Sequence, residues 1–147
     1  MPTSAPSSPE ATPWRLAFAA MALWTLLGAV PGFVDPLGSF VRFQGHPPAT
    51  ALELELYRGA WGQTLLFAVG YAFAAFDPRR QRLLLALGAT GKLLYALRLA
   101  SPILRGEASV LTALAAGGDL LFVALVSAYL LRRGGLALLP RRSELAP

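Results

Sequence analysis

Four long apolar runs constrain this chain more than any other feature of its sequence. They cover residues 14–33, 57–76, 83–104 and 108–131. Each comes close to the ~20 apolar residues that a helix needs to cross a bilayer. Since backbone polar groups in hydrocarbon must be satisfied within their own segment, such runs form helices. The sequence therefore predicts an all-α integral membrane protein, folded as a four-helix antiparallel bundle.

Composition agrees with a membrane protein and excludes several kinds of site. The chain has 147 residues, of which 55% are hydrophobic and 14% charged, whereas soluble domains carry about a quarter of charged residues. With no cysteine and a single histidine, disulfides, iron–sulfur clusters, thiol catalysis and histidine metal clusters are excluded. We expect no metal, no cofactor and no catalytic residue. The basic residues lie between the apolar runs, which argues against nucleic-acid binding.

Arginine placement predicts the orientation in the membrane, because short cytoplasmic segments are rich in Lys and Arg. The link between the second and third runs and the segment after the fourth carry most of the arginines, namely Arg79, Arg80, Arg82, Arg132, Arg133, Arg141 and Arg142. Both termini are therefore predicted to be cytoplasmic. Residues 1–13 are expected to be a disordered cytoplasmic tail, residues 14–133 the bundle, and residues 134–147 a basic cytoplasmic tail. Residues 34–56 form the long opposite loop.

The first run has a second interpretation, as a secretory signal peptide with a small-residue pattern near Ala29. The preceding segment has no positive charge and the run is long for a signal. We therefore expect a retained span.

Local patterns predict where helices begin. Thr50 and Glu53 form a capping box, so the second long helix should begin near Ala51. Asp77-Pro78 is typical of an N-cap followed by proline at the first helical position. Gly117 and Gly118 are expected to let the preceding long helix come near enough for Lys92 to reach Asp119. Gly134-Gly135 is expected to end the last helix.

Two opposite charges interrupt the third and fourth runs. Lys92 lies 14 residues before Gly106, where the turn is expected, and Asp119 lies 13 residues after it. Each residue advances a helix by about 1.5 Å, so the two charges should lie at the same depth. Charges at mid-bilayer face the protein interior. We expect a buried ion pair, and its role is open between fixing helix register and acting on a ligand or proton.

The remaining polar residues predict a polar cleft that opens toward the outer face, between the second, third and fourth long helices. Its candidate ligand or lipid contacts are Arg58, Gln63, Tyr95 and Arg98. Lys92, Tyr95 and Arg98 step by three residues and form one slanting stripe. Arg58 is expected to reach the outer interface with Glu55 as its partner.

The segment 56–62 (Leu-Tyr-Arg-Gly-Ala-Trp-Gly) and the tight Asp77-Pro-Arg-Arg80 turn resemble small four-helix bacterial inner-membrane proteins of the DoxX-like kind. The resemblance implies a bacterial inner membrane, and some of these proteins are tied to quinone-linked sulfur oxidation or redox-partner complexes. We expect a non-enzymatic accessory or assembly partner that contacts the lipid bilayer and a homo-oligomer or membrane protein partner. The alternatives are a small oligomeric proton- or ion-coupled transporter and a quinone- or lipid-binding subunit of a membrane redox complex.

Overall fold

A computed structural model describes residues 11–132 of the chain. This part of the protein is entirely helical, as predicted. Its five helices are α1 (Ala11–Val34), α2 (Pro36–Gln44), α3 (Ala51–Phe76), α4 (Arg82–Leu104) and α5 (Val110–Arg132). The predicted tails, except for residues 11–13, and the predicted Gly134-Gly135 helix end lie outside the described residues.

Four of the helices are long and apolar enough to cross a membrane. The qualifying segments are Pro13–Val34, Ala51–Phe76, Arg82–Leu104 and Val110–Arg132. Successive long helices run in opposite directions, and the most extensive packing joins α1 to α3 and α4 to α5. Smaller contacts of α3 with α4 and of α1 with α5 close the bundle.

The short helix α2 lies within the segment that was expected to be a loop. Asp35 caps its start by accepting a hydrogen bond from the Gly38 amide at 3.0 Å, and Pro36 occupies the first helical position. Gly45 ends the helix in the left-handed region, at φ 80°, which glycine adopts without strain. The helix packs against α1, α3 and α5, so it lies across one end of the bundle.

Hydrogen bonds fasten the end of α2 to the start of α5. The hydroxyl groups of Ser109 and Thr112 both donate to the carbonyl oxygen of Phe43, at 2.8 and 2.7 Å. A carbonyl at the end of a helix has no partner within that helix, so these bonds satisfy it and hold α2 in place.

Of the two predicted helix starts, one is confirmed and one is wrong. Helix α3 begins at Ala51, with the Glu53 amide donating to the Thr50 hydroxyl at 3.1 Å. Asp77 instead ends α3 and accepts a hydrogen bond from the Arg80 amide at 3.4 Å, while α4 begins only at Arg82. Asp followed by proline is also the preferred start of a type I turn, and residues 77–81 adopt a turn.

Large side chains cover several glycines where helices meet. The ring of Trp61 in α3 covers Gly32 of α1, Leu84 of α4 covers Gly70 of α3, and Trp24 of α1 covers Gly118 of α5. Gly117 has open space beside it. Gly118 therefore packs against α1 rather than α4. The expectation that Gly117 and Gly118 bring the preceding helix close is wrong for Gly118.

Candidate functional site

The two charges within the apolar helices form an ion pair at the centre of the α4–α5 interface. Lys92 Nζ lies 2.5 Å from Asp119 Oδ1, and the two side chains are only 11% and 12% exposed. Equal distances from the turn at Gly106 had placed these residues at one depth. The rotation of α4 and α5 about their own axes then directs the two side chains toward each other.

Aromatic rings surround this pair. The Lys92 ammonium lies 5.9 Å from the centre of the Phe122 ring, close enough for a cation–π interaction. Phe122 follows Asp119 by three residues and therefore lies on the same side of α5. The Trp24 ring of α1 packs against Phe122, with the ring centres 6.4 Å apart. The ammonium thus has both a carboxylate and a ring as partners.

Tyr71 reaches this region because Gly88 leaves room for it. Tyr71 is fully buried in α3, and its hydroxyl occupies the space where a side chain at position 88 would begin. Gly88 lies one helical turn before Lys92 on α4. A phenol from a third helix is therefore held beside the ion pair, on the side toward the turn of residues 77–81.

The arrangement fits a charge pair that stabilises helix packing. A charge left alone in hydrocarbon is costly, but here each charge neutralises the other. The same pair is chemically able to exchange a proton between amine and carboxylate, because both groups lie within hydrogen-bond distance.

Within the described residues no hydrogen bond or ion pair joins the other predicted contacts to one another, and the cleft stays a prediction. Arg58 turns toward α1, with its guanidinium 5.2 Å from the centre of the Phe33 ring. No ion pair joins it to Glu55 in the described chain, so the predicted pairing is wrong. Gln63 and Arg98 are exposed, and Tyr95 is 40% exposed.

Helix α2 adds a polar contact that the sequence did not predict. Ser39 is fully buried, and its hydroxyl lies 3.0 Å from the hydroxyl of Tyr57 on α3. The Phe40 ring packs edge-on against Tyr57, with the ring centres 5.1 Å apart. The Asp35-Pro36 start and the Gly45 end are the signals by which this helix was recognisable.

Within residues 11–132 no group of three or more His, Cys, Asp or Glu side chains is placed to hold a metal ion. Comparison with known proteins gave no match to a family model, to a curated protein or to a solved structure. The DoxX-like resemblance therefore stays a prediction.

Proposed function

We propose that this small multi-pass membrane protein is a non-enzymatic accessory or assembly partner in a bacterial inner membrane. The observation that carries the proposal is the Lys92–Asp119 pair. Both charges are buried and each has the other as its partner, so this ion pair serves the packing of the bundle. The DoxX-like resemblance supports the same assignment.

The charge distribution supports an orientation with both termini in the cytoplasm. The bundle end formed by the start of α1, the turn before α4 and the end of α5 carries Arg15, Arg79, Arg80, Arg82 and Arg132 against Asp77. The opposite end carries the acidic residues Asp35, Glu53, Glu55 and Glu107 against Arg42 and Arg105. The arginine-rich end is cytoplasmic by the positive-inside rule.

Purification from native membranes in a mild detergent tests the proposal. Native mass spectrometry should detect a complex of defined stoichiometry between this chain and another membrane protein. The Lys92→Met/Asp119→Asn double variant is the matched control, since it removes both charges and leaves the surface of the bundle unchanged. It should keep the complex. A chain that is always recovered alone, or only with lipid, would contradict the proposal.

A second function is favoured by the polar side chains near Asp119. The buried Lys92 and Asp119 side chains are in direct contact, and the Tyr71 hydroxyl lies at Gly88, one helical turn before Lys92, which is the setting of a proton- or ion-coupled carrier. In liposomes that contain a pH-sensitive dye, a carrier would move protons when a gradient is imposed. The double variant would then stay folded but lose this flux, whereas an accessory protein gives no flux in either form.

A further inference from the structure

We infer that the exposed side of α4 formed by Leu87, Gly91, Leu94 and Arg98 docks a transmembrane helix of another membrane protein. That helix carries an aspartate or glutamate opposite Arg98. We call these four residues the α4 face. The inference rests on the proposed accessory role and names the surface and the chemistry that serve it.

Arg98 is the reason for this choice. No hydrogen bond or ion pair joins it to any other residue of the described chain. Lys92 and Arg58, by contrast, have partners within the chain, since Lys92 binds Asp119 and Arg58 lies over Phe33. An arginine in hydrocarbon without an anion is costly, so Arg98 requires an anion from outside the chain.

The depth of Arg98 favours a protein carboxylate over a lipid phosphate. Arg98 lies five residues beyond the middle of α4 (Arg82–Leu104). If the middle of α4 lies at the bilayer centre, a rise of about 1.5 Å per residue and a core of ~30 Å place the Arg98 Cα about 7 Å inside the hydrocarbon edge. Phosphates lie outside that edge, whereas a carboxylate on a neighbouring helix can lie at the same depth. It also offers the guanidinium two parallel hydrogen bonds.

The rest of the α4 face is shaped for a helix. Its four residues follow one another at intervals of four, three and four, so they form a continuous seam. Gly91 has nothing within 4 Å of the place where a side chain would begin. At Gly118 of α5, the corresponding space is filled by Trp24 of a neighbouring helix. Gly91 lets a partner backbone approach closely.

Site-specific photocrosslinking in intact membranes tests the inference. Benzophenone-phenylalanine replaces Leu94 of the α4 face, or Leu121 of α5 as the matched control. The two leucines are 59% and 60% exposed, and Leu121 lies near the equally open Gly117 but on an uncharged surface. We expect position 94 to crosslink one membrane protein at high yield and position 121 to crosslink only lipid.

A charge exchange then identifies the contact. Arg98→Glu should reduce the crosslinked fraction about tenfold or more, because two like charges would face each other. Replacing the acidic residue in the crosslinked helix of the partner by arginine should restore the crosslinked fraction of the Arg98→Glu protein. Since no hydrogen bond or ion pair joins Arg98 to another described residue, the thermal midpoint of the detergent-purified Arg98→Glu protein should stay unchanged. Arg98→Gln provides a second variant, with loss but no reversal of charge.

Several results would overturn the inference. These are a lipid adduct alone at position 94, crosslinking to a second copy of this chain, equal yields at positions 94 and 121, or no effect of Arg98→Glu. If a defined complex is purified but crosslinks only from position 121, the accessory role stands and the α4 face is wrong. If no complex exists and neither position crosslinks a protein, both are wrong.

Discussion

At the scale of single residues, the Lys92–Asp119 pair is the most buried ion pair among the described residues. Asp119→Asn should destabilise the fold because Lys92 loses its counter-charge, and Lys92→Met should do so by leaving Asp119 alone. We expect each change to lower the free energy of unfolding by between about 1 and 5 kcal/mol. The lower limit is typical of polar contacts in membranes, and the upper limit is typical of a buried ion pair that loses one partner. Thermal unfolding in detergent measures this.

The double variant decides whether the two side chains act as a pair. Lys92→Met/Asp119→Asn removes both charges together, so much of the lost stability should return. Thr90→Val is the control, since the Thr90 hydroxyl bonds only to the Ala86 carbonyl of its own helix, at 2.9 Å. It should leave the thermal midpoint nearly unchanged. Simple addition of the two single effects would show that the charges do not interact.

These residues also show what the sequence can predict about a site. The depth of Lys92 and Asp119 follows from the rise of a helix and the position of one turn. The partners of Arg58 and Gly118 depend on how α3 and α5 are rotated toward α1, which is decided by packing of distant side chains. The sequence therefore predicted the pair, but it did not predict Phe33 beneath Arg58 or Trp24 over Gly118.

At the scale of helices, the same dipeptide begins a helix in one place and a turn in another. After Asp35-Pro36 come Phe40 and Phe43, whose rings pack against Tyr57 and Trp61 of α3. The residues after Asp77-Pro78 are all polar (Arg-Arg-Gln-Arg) and offer no apolar side to bury. A short helix forms where it has a surface to pack on, which a local pattern does not contain.

The attachment of α2 to α5 gives a prediction at this scale. Thr112→Val removes one of the two hydroxyls that donate to the Phe43 carbonyl. One hydrogen bond contributes about 1 kcal/mol, so amide hydrogen exchange of residues 36–44 should be about fivefold faster. Thr64→Val removes a hydroxyl that bonds only within α3 and should leave it unchanged. Equal exchange in both variants would contradict the role of this bond.

Neighbouring glycines provide a matched test of helix packing. A methyl group at position 118 would collide with the Trp24 ring, and one at position 88 with the Tyr71 hydroxyl. Gly118→Ala and Gly88→Ala should each lower the free energy of unfolding by about 1–3 kcal/mol through overpacking. Gly117→Ala and Gly91→Ala meet open space and should be neutral or slightly stabilising, since alanine favours helix. Equal thermal midpoints for all four would contradict the packing described above.

At the scale of the whole molecule, two antiparallel pairs, α1 with α3 and α4 with α5, make up the bundle. The first pair joins through aromatic rings and glycines, including Trp61 over Gly32. The second pair carries the ion pair and the α4 face. One pair is thus built for apolar packing, while the other holds the buried charges and the unpartnered arginine.

The charge difference between the two ends predicts the orientation of the molecule. Reporter fusions after Gly45, between α2 and α3, and after Pro140 should report opposite sides of the membrane, with the second in the cytoplasm. The arginines of the turn before α4 hold that end inside. Replacing Arg79, Arg80 and Arg82 by alanine should lower the fraction of correctly oriented chains, because fewer positive charges resist translocation. Replacing the exposed Glu55 by alanine is the control and should have little effect, since acidic residues contribute little to orientation. Like signals from the two fusions would be incompatible with four spans and two cytoplasmic termini.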